Sequence, residues 1–346
     1  MSTTDFQQLP DLAVRSVGGS VVYANDEAFA AKENLITPGP AAFDPGDFGH
    51  TGKVYDGWET RRRREPGHDE VIVRLGAPGV VRGVVVDTAW FKGNYPPEIS
   101  VEGLAADGHP SVDELLATDG WMPLVPRSPV KGDSENPFPV TSDLRVTHVR
   151  LRIHPDGGVA RLRVHGEALP DPALLDALGT VDLAAIENGG RVVGCSNLFY
   201  SSPNNLLLPG PPRNMGEGWE TARRRDEGND WVEVALAGES VIAVAEIDTT
   251  YFLHNAPGWA GLRGRNGDGE WFELLPRTAL LPDTRHRFTL GASAPTTHVR
   301  LDIHPDGGTA RLRMHGRLTE RGRAELGRRW RAGVAPTTRD DGEDTS

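Results

Sequence analysis

The chain has 346 residues, a single cysteine and a formal net charge of −12. That length leaves room for two domains, each able to bury a core without disulfides, and Cys195 has no second cysteine with which to close one. The acidic balance argues against nucleic-acid binding through the whole surface, although clustered arginines can still hold a small anion, so a small-molecule partner is expected.

The opening MSTTDFQQLPDL lacks the basic patch and apolar run of a secretory leader, and no apolar run is long enough to span a bilayer. A cytoplasmic protein with no membrane partner is therefore expected. Residues 1–17 form a polar lead-in whose only structural hint is Leu12-Ala13-Val14. Across the chain 41 glycines and 27 prolines favour many short strands joined by tight turns over helices.

After the lead-in, most of the chain occurs twice. The repeats open at Gly18-Gly19-Ser20-Val21-Val22 and Gly189-Gly190-Arg191-Val192-Val193, and each continues into a long loop rich in proline and glycine. Loops of that length in compact domains are commonly binding loops or lids. GWETRRRR at 57–64 then answers GWETARRR at 218–225. Strands are predicted over 69–75 and 80–87, matched by 230–236 and 241–248, with Val71, Val73 and Leu75 facing one way. The second strand of each pair ends in an aspartate and an aromatic loop, VDTAWFKGNYP against IDTTYFLHNAP.

A hairpin closes each repeat, THVRLRIHPDGGVARLRVHG at 147–166 and THVRLDIHPDGGTARLRMHG at 297–316. Apolar and polar residues alternate on both arms, and Pro-Asp-Gly-Gly supplies the turn, since proline presets one dihedral and glycine accepts a positive φ. Between the repeats, 169–188 reads as a partly helical connector. The domain plan is thus lead-in 1–17, repeat 1 over 18–168, connector 169–188, repeat 2 over 189–318, and a short helix with a disordered acidic tail over 319–346. About eight short strands per copy predict an all-β chain of two tandem jelly-roll β-sandwich repeats.

Three motifs in one order, twice, give a specific resemblance: GWETRRRR/GWETARRR, VDTAWFKGNYP/IDTTYFLHNAP and the histidine hairpin. The chain resembles the allantoicase (allantoate amidinohydrolase) family from about residue 11 to about residue 317. The resemblance implies galactose-binding-like jelly rolls and conversion of allantoate and water to ureidoglycolate and urea in purine breakdown. A non-catalytic jelly roll binding a sugar or anion, or a relative acting on another ureido acid, are the alternatives, because fold does not decide function.

A site for allantoate needs a fork for its carboxylate, partners for two ureido ends, and groups that move protons. Arginine makes the fork, and alternation along a strand lets one or two of each triplet share a pocket, which favours Arg63 and Arg224. Glu59 and Glu220, each following a tryptophan, suit an acid or base if half-buried, or else pair with the arginines. Asp87 and Asp248 stand at strand ends, as catalytic carboxylates or as caps of the next loop.

His154 and His304 are substrate-binding candidates, with Asp156 and Asp306 either as orienting groups or as turn aspartates that bond the backbone. His148, His154 and His165 could suggest a metal site, but His148 and His154 are about 20 Å apart on an extended strand at ~3.3 Å per residue. The sequence assigns no cofactor with certainty, and a divalent metal held by several loops is left open. Asn94 and Asn255 occur in both copies and can donate and accept to a urea. Lys92, Gly93 and Tyr95 become Leu253, His254 and Ala256. One copy is therefore catalytic, or a composite site draws Lys92 and Tyr95 from one half and His254 from the other. Assembly into a homo-oligomer is also left open.

Overall fold

A computed structural model of the chain describes residues 5–49, 52–291 and 293–334. The acidic tail from residue 335, expected to be disordered, lies outside the described residues. Repeat 1 contains β1 (Ser20–Ala24), β2 (Trp58–Glu59), β3 (Asp69–Asp87), β4 (Glu98–Leu104), the short helix α1 (Val112–Ala117), β5 (Met122–Pro129), β6 (Glu135–Pro139), β7 (Arg145–His154), β8 (Gly158–Val159) and β9 (Arg161–Ala168). After helix α2 (Pro172–Leu178), repeat 2 runs through β10 (Arg191–Cys195), β11 (Trp219–Glu220), β12 (Asp230–Asp248), β13 (Trp259–Arg265), β14 (Phe272–Ala279), β15 (Arg285–Thr289), β16 (Thr296–His304), β17 (Gly308–Thr309) and β18 (Arg311–Leu318). Helix α3 (Glu320–Ala332) follows, its first turn capped by the Thr319 hydroxyl, which accepts from the Gly322 amide. No helix among the described residues is long and apolar enough to cross a membrane.

Each repeat is a jelly-roll sandwich built on one long strand. Where the sequence predicts two strands, β3 is a single 19-residue strand. Its pairing with β7 breaks between Arg74 and Gly79. The first half joins β1 and β7, and the second half joins β9 and β6. The Gly76-Ala77-Pro78-Gly79 segment that reads as a turn is the bend that carries the strand from one sheet to the other. Gly76 is required there, because a Cβ would stand 2.5 Å from the Val17 carbonyl oxygen. β12 repeats the arrangement with β10, β16, β18 and β15.

Alternation fills the core. Val71, Val73, Leu75, Val84, Val86, Leu162 and Val164 are all buried between the sheets. The lead-in, given no fold by its sequence, contributes Leu12, Ala13, Val14 and Val17 to the same core. Asp11 pins it: its Oδ1 accepts from the Ala13 and Val164 amides at 3.0 and 2.9 Å. Asp182, within the stretch read as connector, accepts from the Ala184 and Met314 amides at 3.2 and 2.9 Å. Each repeat thus opens with an Asp-Leu-Ala segment lying on its last strand.

Burial has one pH-dependent consequence. His148 is 3 % exposed, with Nδ1 2.9 Å from the Thr147 hydroxyl. Desolvation, with Arg74 adding to it, pulls its imidazole from 6.5 down to about 4. The group is neutral in the fold and takes up a proton on unfolding between those two values. Stability is therefore lost as pH falls through that window. Urea unfolding midpoints should fall between about pH 7 and about pH 5, and His148→Gln should flatten that dependence.

Candidate active site

The outward face of β3, β6 and β9 carries polar chemistry that the inward face cannot. Because pairing is in register, Glu135, Asp87 and Arg161 lie in one row across the sheet, Pro137, Val85 and Arg163 in the next, and Pro139, Gly83 and His165 in a third. Rows on one face are about 6.6 Å apart along a strand.

Asp87 ends β3 at 9 % exposure, and its Oδ1 accepts from the Ala89 amide at 2.8 Å. Burial pushes its carboxyl above the usual range; the Ala89 amide opposes this and the neighbouring Glu135 carboxylate adds to it. Arg161 is almost wholly buried and fully engaged, donating to the Asp56 carboxylate at 2.6 Å and to the Asp56 and Ala160 carbonyls at 3.0 and 2.8 Å. Arg163 differs. It donates from Nη2 to the Gly39 carbonyl at 2.6 Å, but its Nη1 stands 3.5 Å from Asp11 Oδ2, and neither of those atoms has a hydrogen-bond partner. His165 donates from Nδ1 to the Leu9 carbonyl 2.8 Å away, since a carbonyl can only accept, and this leaves Nε2 as the open ring nitrogen.

This face floors a cleft of about 770 Å³ between the repeats. The lead-in forms one rim, and residues 202–217 of repeat 2 form the opposite wall. Asn204 ties the two together by donating to the Gln8 carbonyl at 2.8 Å. Asn214, exposed on the wall, makes no side-chain hydrogen bond among the described residues. The cleft therefore combines a half-shielded carboxylate, an incompletely bonded arginine, an oriented imidazole and a free amide.

Of the residues singled out in the sequence, Asp87 and His165 line this cleft. Glu59 and Asn94 are brought together elsewhere: the Asn94 amide donates to Glu59 at 2.6 Å, and Asn255 donates to Glu220 at the same distance. Burial pushes the Glu59 carboxyl up, with Asn94 opposing. Arg63 donates from Nη1 to the buried Asp69 at 2.7 Å and Arg224 to Asp230 at 2.9 Å, each within its own repeat, while the buried Arg63 Nε has no hydrogen-bond partner. Asp156 and Asp306 do not orient the histidines. They accept from the Arg63 and Arg224 backbone amides at 2.8 and 2.7 Å, because turn aspartates satisfy nearby N–H groups first.

The His154 Nε2 lies 3.1 Å from the Ser100 hydroxyl, and burial pulls both His154 and His304 below the usual range. Lys92 is exposed beside Asp133 at 3.7 Å, His254 is exposed, and Tyr95 is partly buried against the core. Asp248 caps its loop, accepting from the Thr250 amide at 2.9 Å. Among the described residues no group of three or more His, Cys, Asp or Glu side chains converges as metal ligands.

The family model for the allantoicase repeat matches residues 10–169 and 181–319. The chain belongs to the allantoicase family. A probable allantoicase of Nocardia farcinica is 62 % identical over 315 residues, covering 90 % of this chain and 95 % of that one. The allantoicase of Dictyostelium discoideum is 41 % identical over 323 residues, covering 90 % and 87 %. A crystal structure of allantoicase from Saccharomyces cerevisiae superposes with a TM-score of 0.78 at 33 % identity, covering 90 % of this chain and 96 % of that one. Both matched segments begin before the glycine pairs at 18 and 189. Glu135, Arg163 and Asp11 went unnoticed as site residues, and His165 was weighed only as a metal ligand. The signal for two of them was present, since Arg161, Arg163 and His165 alternate on one strand and return as Arg311, Arg313 and His315.

Proposed function

We propose that the chain hydrolyses allantoate to ureidoglycolate and urea, and that it does so in the cleft between the repeats. One observation carries the assignment of the site: Asp87, half-shielded and held by the Ala89 amide, lies on the same floor as Arg163, facing a wall that offers amides. A carboxyl raised by burial exchanges protons closer to neutral pH than an exposed aspartate does. The guanidinium of Arg163 cannot be deprotonated, so it offers a permanent positive charge to the substrate carboxylate.

The chemistry breaks the bond between the central carbon and one ureido nitrogen. The Asp87 carboxyl gives its proton to that nitrogen as the C–N electron pair leaves with urea. The remaining ureido nitrogen keeps its proton and shares its electron pair with the central carbon, giving an N-acyliminium. Water then adds its oxygen to that carbon and its surplus proton goes to the Asp87 carboxylate, so the enzyme returns to its starting state. His165 Nε2 and the Asn214 amide suit the ureido ends, which present N–H donors and a carbonyl acceptor.

Purified full-length chain incubated with allantoate should release urea and ureidoglycolate in equal amounts. Allantoate left intact by a folded protein that still binds it would overturn the assignment in favour of a binding module.

A further inference from the structure

The two repeats carry the same outward face with different charge arrangements. In repeat 1, β6 sets Glu135 opposite Asp87 and Pro137 opposite Val85. In repeat 2, β15 sets Arg285 opposite Asp248 and Arg287 opposite Glu246. Arg287 donates to Glu246 at 2.8 Å, while Arg285 stands 3.6 Å from Glu246 and 4.0 Å from Asp248. The last strand repeats the contrast. Arg313 donates from Nη1 to Asp182 at 3.2 Å, closing the pair that Arg163 and Asp11 leave open at 3.5 Å. Its Nη2 also donates to the Gly210 carbonyl at 2.8 Å, the counterpart of the Gly39 bond in repeat 1.

We propose that the reactive face exists once per chain, on repeat 1, and that Glu135, opposed to Asp87 across the strand pair, is a positioning residue for it, whereas the equivalent place opposite Asp248 is taken by Arg285. This rests on the role of Asp87 in allantoate turnover. Directly opposed side chains on neighbouring strands lie about 5 Å apart at Cβ, close enough for like charges to resist joint ionisation and opposite charges to enforce it. The groups facing Asp87 are Glu135 from β6, Arg161 and Arg163 from β9, and the Ala89 amide from the following loop. Arg161 is already neutralised by Asp56, and Arg163 is drawn towards Gly39 and Asp11. Of these charged neighbours Glu135 raises the Asp87 carboxyl, and Arg163 and Arg161 oppose it. In repeat 2 the same position holds the opposite sign, and Val85 is replaced by the further carboxylate of Glu246, which is itself paired.

Glu135 is exposed, so its replacement leaves the fold intact. The experiment measures kcat and kcat/KM for allantoate against pH in full-length wild type, Glu135→Gln, Glu135→Arg and Arg285→Gln. The limb of the profile set by Asp87 should move to lower pH by about half a unit in Glu135→Gln and further in Glu135→Arg, with KM little changed. Arg285→Gln should leave both the limb and kcat/KM where they were. A limb unmoved in both Glu135 variants, or moved equally by Arg285→Gln, would overturn the proposal. If wild type itself releases no urea, it is the assignment of the reaction that fails, and the two failures are told apart in one set of assays.

Discussion

Asp87→Asn is expected to lower kcat/KM for allantoate by about 10²- to 10⁴-fold, the usual worth of a positioned acid or base. The substitution is chosen because it removes the proton and nothing else. An asparagine Oδ1 can still accept from the Ala89 amide, as the aspartate does at 2.8 Å, so the loop that follows β3 keeps its cap. The neighbouring Arg161 keeps Asp56, and its bond network does not depend on residue 87. Stability should change little or rise slightly, because burial disfavours the charged form of Asp87 in the fold. A carboxyl raised in the native state contributes stability below its unfolded value that fades as pH rises through the folded one. Steady-state kinetics beside a thermal melt would check this. Kinetics matching wild type would move the chemistry out of the cleft, with the Glu59–Asn94 and Glu220–Asn255 pairs as the next places to look.

What the sequence made legible was whatever has a period or a copy. Alternation located β7 and β9 and their repeat-2 partners, and duplication located the domains. The bend of β3 was not legible, because Gly76, Pro78 and Gly79 signal a break in pairing without saying whether the chain turns back or crosses to another sheet. The lead-in was missed because Leu12, Ala13 and Val14 are too few for a period to show. Their register is set by Asp11, which accepts from the backbone amide of Val164, 153 residues away.

The site divided along the same line. Asp87 could be named because a strand that ends in a carboxylate delivers it to a rim. Arg63 and Arg224 looked equally suitable, yet a triplet of arginines does not reveal that Asp69 and Asp230, six residues on, will take the middle member inward. Glu135 and Arg163 matter through cross-strand neighbours, and pairing between strands is information that local pattern does not contain.

Arg163→Gln is expected to raise KM for allantoate by about 10²-fold, the loss of a charge-assisted contact of roughly 1.5–3 kcal/mol, with kcat reduced far less. Glutamine can still reach the Gly39 carbonyl with its amide, so the loop over 38–40 keeps an anchor where the guanidinium now donates at 2.6 Å. Lysine is a poor substitute here, since a point charge cannot serve Gly39 and a carboxylate in one plane. A ureido compound lacking the carboxylate separates recognition from damage. If Arg163 holds the substrate carboxylate, wild type and Arg163→Gln should handle methylenediurea, two ureido groups on an unsubstituted carbon, with similar low efficiency. An equal loss on both substrates would mean that the variant has distorted the floor of the cleft. Arg313→Gln gives the matching comparison in repeat 2. Its guanidinium is already closed on Asp182 and on the Leu208 and Gly210 carbonyls, so its replacement should cost stability and leave the carboxylate preference intact.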